Sequence, residues 1–272
     1  MCSIFGLYKY EGWVFESAYE LGHEGPRLPQ HRMNLSYDGK SLLYFYLFYT
    51  LCKQTCGKLY HMPEFLAMSI LILLFSVILH EVMHGWVALK FGDHTAERAG
   101  RLTLNPIPHI DLFGTVLLPA LLIMTGSPIL FGWAKPVPVN PLNFRSLRRG
   151  ELMVSAAGVV ANFTLAIVAA IIFHILNALP QTFPALLGSL LLFTVKINLV
   201  LGIFNLFPIP PLDGSKVLLS QLPYKWAKEY QKFERYGILI LLILLMIPFG
   251  QSSLLHTILG FFVDIFSRIL GF

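Results

Sequence analysis

The chain has 272 residues, of which 56% are hydrophobic and 13% charged, with a mean hydropathy of +0.66. A soluble domain carries about 25% charged residues, so the composition argues against a soluble fold and for an integral membrane protein. The net charge of +5 reads as loop lysines and arginines at a cytoplasmic membrane face and not as a nucleic-acid footprint, and no nucleic-acid partner is expected.

Residues 1–61 read as an N-terminal extension, distinct from a body at 62–272. Lys9, Glu11, Glu16, Glu20, Glu24 and Arg27 follow no clear period, and the apolar run Leu42–Leu51 falls short of the about 20 residues a spanning helix needs. The run has no secretory-signal layout, since charges flank it loosely and no small-residue cleavage site follows. The extension is either an interfacial helix or a poorly ordered stretch. It holds all three cysteines, Cys2, Cys52 and Cys56. A disulfide framework is thereby excluded from the body, and any metal there must use His, Asp or Glu.

From Met62 the pattern changes. Phe65–Leu79 is almost wholly apolar, and the helix it predicts continues to Phe91. Two polar turns lead to Asp111. Leu112–Phe131 is apolar but carries Gly114, Pro119, Gly126 and Pro128. Lys135-Pro-Val-Pro-Val-Asn140 is predicted to be extended, because proline blocks helix and biases its predecessor towards β or polyproline geometry. Leu152–Leu179 and Leu186–Phe207 are long spans, the second ended by Pro208, Pro210 and Pro211. A hydrophilic stretch over 216–235 and two apolar segments, 236–249 and 253–271, complete the chain. The fold expected is an all-α polytopic membrane protein with about four to six membrane segments. A short re-entrant or extended region lies between the first and third core segments.

The chemistry concentrates in His80-Glu81-Val82-Met83-His84. Residues four apart on a helix share a face, so two imidazoles there can reach one zinc ion. Glu81 can take a proton from water activated at the metal. The motif continues a membrane helix, where ionisable groups are costly and usually functional. A catalytic zinc keeps three protein ligands and one open position. Asp213, in Asn205-Leu-Phe-Pro-Ile-Pro-Pro-Leu-Asp213-Gly214, is the best third candidate, because broken backbone at membrane depth is tolerated where it lines protein or water. The alternative for Asp213 is a helix N-cap, and Gly214 is read as allowing a turn beside the metal.

His80-Glu-Val-Met-His84 followed by Asn205…Pro-Pro-Leu-Asp213-Gly214 resembles the site-2 protease family of intramembrane zinc metalloproteases. The match runs over most of 65–220 and takes in Gly92-Asp93, Arg98–Pro106, His109-Ile-Asp111 and Phe131–Pro141. It is closest to the compact subgroup without a PDZ insertion. The resemblance implies one zinc ion per chain held by His80, His84 and Asp213, with Glu81 as general base and Asn205 positioning the scissile peptide or its oxyanion. It further implies an endopeptidase of membrane-protein or peptide substrates, in a multi-pass protein of the plasma membrane surrounded by lipid. One departure is Val159, where the family often has proline; that position shapes a helix and ligates nothing.

Other polar residues carry two readings each. His109 and Asp111 are partners of a ligand imidazole or plain loop residues. His174 reads as a packed or interfacial histidine. Lys196 faces an aqueous cavity or snorkels. The competing functions are a zinc transporter or scaffold and an inactive helix-binding relative; Glu81 beside the first histidine favours hydrolysis over both. Finally, the metal residues put loops 92–111, 132–151 and 208–235 on one side. That makes 112–131 a re-entrant hairpin, although its twenty residues could just achieve a crossing.

Overall fold

Helix α1 (Pro63–Lys90) opens with proline at its first position, a site whose N–H has no helical partner. Glu64 in its first turn and Lys90 in its last complement the helix dipole. A Schellman turn ends it: Asp93 N–H reaches Ala88 O and Gly92 N–H reaches Leu89 O, both at 3.0 Å, with Gly92 at φ 103°. A one-turn helix α2 (Thr95–Arg98) follows. This computed structural model describes residues 63–112, 117, 121, 124, 134–179, 183–249 and 252–272. The extension 1–61 and the path of 113–133, and so the readings made for them, lie outside the described residues apart from those three positions.

Helices α3 (Leu147–Ala178) and α4 (Ala185–Leu206) are the two long spans and pack against each other. At 1.5 Å per residue, α1, α3 and α4 measure about 42, 48 and 33 Å, against a hydrocarbon core of about 30 Å. These are the three helices among the described residues long and apolar enough to cross a membrane. Helix α4 is the central one: 61% of its apolar window is buried, against 33% for α1 and α3. The outward faces of α1 and α3 display Leu71, Ile171 and Ile175, each more than half exposed. Lipid suits such a surface and water does not.

After α4, the prolines prevent helix until α5 (Asp213–Gln221) and α6 (Tyr224–Lys232). Helix α7 (Gly237–Met246) is too short to cross alone. A two-residue antiparallel pair, β1 (Pro248–Phe249) with β2 (Ser252–Ser253), turns the chain into α8 (Leu254–Ile269). Helix α8 buries Leu255, Leu259 and Val263 in the same core as Phe193 and Phe204 of α4 and Phe65 of α1.

Four contacts gather the loops at one end of the bundle. Lys135 N–H donates to His109 O at 2.9 Å, and Arg145 N–H to Phe91 O at 2.9 Å. Asn140 N–H donates to Asp93 Oδ2 at 2.7 Å, and the Arg148 guanidinium to Leu222 O at 2.9 Å. The segment between His109 and Lys135 therefore starts and finishes at the same end.

Candidate metal centre and active site

Because α1 is regular through 80–84, His80 and His84 stand one turn apart, with their Nε2 atoms 3.0 Å from each other. Asp213, first residue of α5, brings Oδ2 to 3.1 Å from His80 Nε2 and 3.2 Å from His84 Nε2. All three residues are buried. The carboxylate thus meets the imidazoles, while Leu212 holds the N-cap position of α5.

The remaining ring nitrogens fix the tautomers. His84 Nδ1 lies 2.6 Å from Val154 O, a group that can only accept, so Nδ1 carries the proton. For His80 the assignment runs through a chain of amides. Thr194 O can only accept, so it takes the Asn198 NH2 at 3.0 Å. Asn198 Oδ1 then accepts from Asn162 Nδ2 at 2.9 Å, which leaves Asn162 Oδ1 facing His80 Nδ1 at 2.6 Å. The Asn198 amide also donates to Ser76 Oγ at 3.0 Å, and Ser76 donates to Ile72 O. Both histidines therefore bond outwards through Nδ1 and turn Nε2 towards the Asp213 carboxylate.

Two imidazole Nε2 atoms and a carboxylate oxygen within 3.2 Å of one another are nitrogen and oxygen donors of the kind that holds zinc. The triangle is close to three corners of a tetrahedron with zinc–ligand distances of about 2.0–2.1 Å. Among the described residues, His80, His84 and Asp213 form a group that could hold a metal ion. The donor set fits zinc, with the fourth corner left open.

Two glycines make this packing possible. A Cβ on Gly158 of α3 would stand 2.5 Å from His80 Cε1 and 2.6 Å from His84 Nε2, so only glycine lets α3 press against the imidazoles. A Cβ on Gly214 would stand 2.1 Å from Leu206 O. Gly214 is thus required for close approach to the end of α4, where the chain turns into α5 beside the imidazoles.

Glu81 opens towards a cleft of about 380 Å3, shared with His84, Asp213, Val137, Val139 and Lys216. Its Oε2 accepts from Val137 N–H at 3.0 Å, so the extended Lys135–Asn140 segment lies against the motif helix. Asp93 anchors that segment, accepting from Asn140 N–H and from Asn143 Nδ2 at 2.8 Å. Burial alone would raise the Asp93 pKa, but donors from Thr95, Asn140 and Asn143 hold it below its ordinary value. Asn205 is fully buried close to His80 and Asn162 and does not line the cleft that Glu81 faces. Its amide donates to Leu201 O at 2.9 Å.

His109 is not a partner of either ligand imidazole, because Asn162 and Val154 occupy those positions. Its Nε2 donates instead to Thr103 O at 2.9 Å, and burial pushes its pKa down. His174 is exposed near the end of α3, where it donates to Leu270 O and stacks on Phe272. Lys196 is half-buried along α4 and does not line the cleft. Reading the sequence did not reveal the Ser76–Asn198–Asn162 chain or the clearance at Gly158; the signal available was uncompensated asparagine inside apolar helices.

The family model described as Peptidase family M50 matches residues 174–248, a range that includes Asn205 and Asp213. Among similar proteins is "Putative zinc metalloprotease YwhC" of Bacillus subtilis, 36% identical over 72% of this chain and 88% of its own length. Rip2 of Mycolicibacterium smegmatis, under the same description, is 30% identical over 70% of each chain. "Zinc metalloprotease MJ0392" of Methanocaldococcus jannaschii is 25% identical over 73% of this chain and 48% of its own length. No solved structure matches the chain. The chain belongs to peptidase family M50, the site-2 protease family, and is a zinc metalloprotease of the membrane.

Proposed function

We propose that the protein is an intramembrane endopeptidase that hydrolyses peptide bonds in or near transmembrane segments of membrane-protein substrates. One zinc ion per chain is held by His80, His84 and Asp213. The observation that carries this reading is the convergence of two imidazole nitrogens and a carboxylate oxygen within 3.2 Å of one another, on membrane-length α1 and at the break after α4. Zinc bound there supplies an acidified water and a polarised scissile carbonyl.

The chain's own groups do the rest. Glu81 is the general base; Val137 N–H holds one of its carboxylate oxygens and leaves the other to take the proton. Asn205 positions the scissile peptide or its oxyanion. A substrate helix hides its carbonyls in its own hydrogen bonds and must unwind locally. The extended Lys135–Asn140 segment offers it a strand to pair with. Lys135, Val137 and Asn140 already spend their N–H groups on His109, Glu81 and Asp93. Val139 N–H is therefore the donor left to the substrate, and Val139 lines the cleft. The basic loop end is cytoplasmic in the cell membrane, with Arg98, Lys135, Arg145, Arg149 and the 216–235 lysines all at that end.

The test is cleavage of a reporter with one transmembrane segment by the purified chain in lipid vesicles. Cleavage within or beside that segment, stopped by a zinc chelator and restored by zinc, is expected. An intact reporter alongside cleavage of a water-soluble peptide would contradict the intramembrane reading.

A further inference from the structure

Arg101 is 6% exposed, a rare state for a guanidinium. No carboxylate forms an ion pair with it among the described residues. Its Nη2 instead donates to two successive carbonyl oxygens of the extended segment, Lys135 O at 2.6 Å and Pro136 O at 3.2 Å. The residue that follows those carbonyls is Val137, whose N–H meets Glu81 Oε2. Prolines at 136 and 138 stiffen the segment and remove the N–H groups that could anchor it otherwise. The segment is also tied at Lys135 N–H to His109 O, and His109 to Thr103 O. Both of those anchors stand on the loop that carries Arg101, and Arg101 lies within electrostatic range of Glu81.

We propose that Arg101 is a positioning residue of the proteolytic site: by gripping the Lys135 and Pro136 carbonyls it fixes the extended segment where Val137 N–H orients the Glu81 carboxylate. The inference rests on the reading of Glu81 as general base. Arginine suits the place because it stays charged and one NH2 group of its weakly hydrated, planar head serves both carbonyls, whereas lysine carries a strongly hydrated point charge on a more flexible stem. Without the grip, the segment shifts, Glu81 loses its orientation, and the chemical step slows while the metal ligands on α1 and α5 stay in place.

The experiment compares wild type, Arg101→Ala, Arg101→Lys and Glu81→Gln in vesicles, measuring zinc content, kcat and KM for the transmembrane reporter. Arg101→Ala is expected to keep the wild-type zinc content and lose roughly 100-fold in kcat, the scale of an ångström-sized misplacement. Arg101→Lys is expected to recover part of that loss. Unchanged kcat per bound zinc in Arg101→Ala would overturn the proposal. So would zinc lost in proportion to activity in both variants, since that marks a residue that only holds the fold. If Arg101→Ala does not insert, Arg101→Lys decides alone: full zinc with lowered kcat supports the role, and wild-type kcat ends it. An active Glu81→Gln enzyme would instead defeat the reading of Glu81, a distinct failure.

Discussion

Gly158 of α3 lies directly against His80 of α1, so close that a β-carbon on it would stand 2.5 Å from the ring carbon Cε1. The gap is set by two helices, and neither imidazole can retreat because Asn162 and Val154 hold their far nitrogens. Gly158→Ala is therefore expected to displace the rings and leave zinc well below the wild-type content in membrane-inserted protein. Metal analysis of the purified variant checks this; wild-type zinc content would show that the helices separate without harm.

The amide chain behind His80 predicts a graded series. Asn162→Ala removes the acceptor of the His80 Nδ1 proton and should weaken zinc binding by about 10–100-fold, as loss of an outer partner of a ligating histidine does. Asn198→Ala acts one step further away and should weaken it less. Chelator competition measures both. Equal losses, or none, would mean that the chain does not orient His80.

Acid should loosen the loop end through Asp93. Its carboxylate has a folded pKa below the ordinary 3.8. It therefore contributes stability that is present above its unfolded pKa and is lost as pH falls through the folded value. Thermal unfolding between neutral pH and about pH 3 should show the wild type losing more stability on acidification than Asp93→Asn. Parallel curves for the two proteins would remove Asp93 as the cause.

The shared loop end predicts membrane sidedness. Cysteines placed at the exposed positions Arg98 and Arg149, in a background lacking the native cysteines, should react with an impermeant reagent from the same side. Labelling from opposite sides would break the contacts between Lys135 and His109 and between Arg145 and Phe91 on which the arrangement stands.

The parts legible in the sequence are those that repeat locally. The spacing of His80 and His84 is a helix period, the spans are apolar runs, and Asp213 follows a proline break that no helix can cross. The extended form of Lys135–Asn140 follows from its alternating prolines. Other parts depend on which faces of separate helices meet. Ser76, Asn162 and Asn198 sit on three helices, with 36 residues between the two asparagines and 122 between Asn198 and Ser76, and no local pattern links them. His109 looked equally suited to partner a ligand imidazole, but the packing of α3 against α1 gave that place to Asn162 and Val154. Gly214 was legible as a special position; its reason, the Leu206 carbonyl, needed the return of α5 onto α4.

The measurement that bears most directly on the account is zinc content and reporter cleavage by Glu81→Gln in the same preparation. Glu81 touches Val137 N–H and opens on the cleft, while His80, His84 and Asp213 form the metal triangle without it. The account predicts about one zinc per chain and no cleavage, because the general base is not a ligand. Cleavage at the wild-type rate with zinc retained would contradict it.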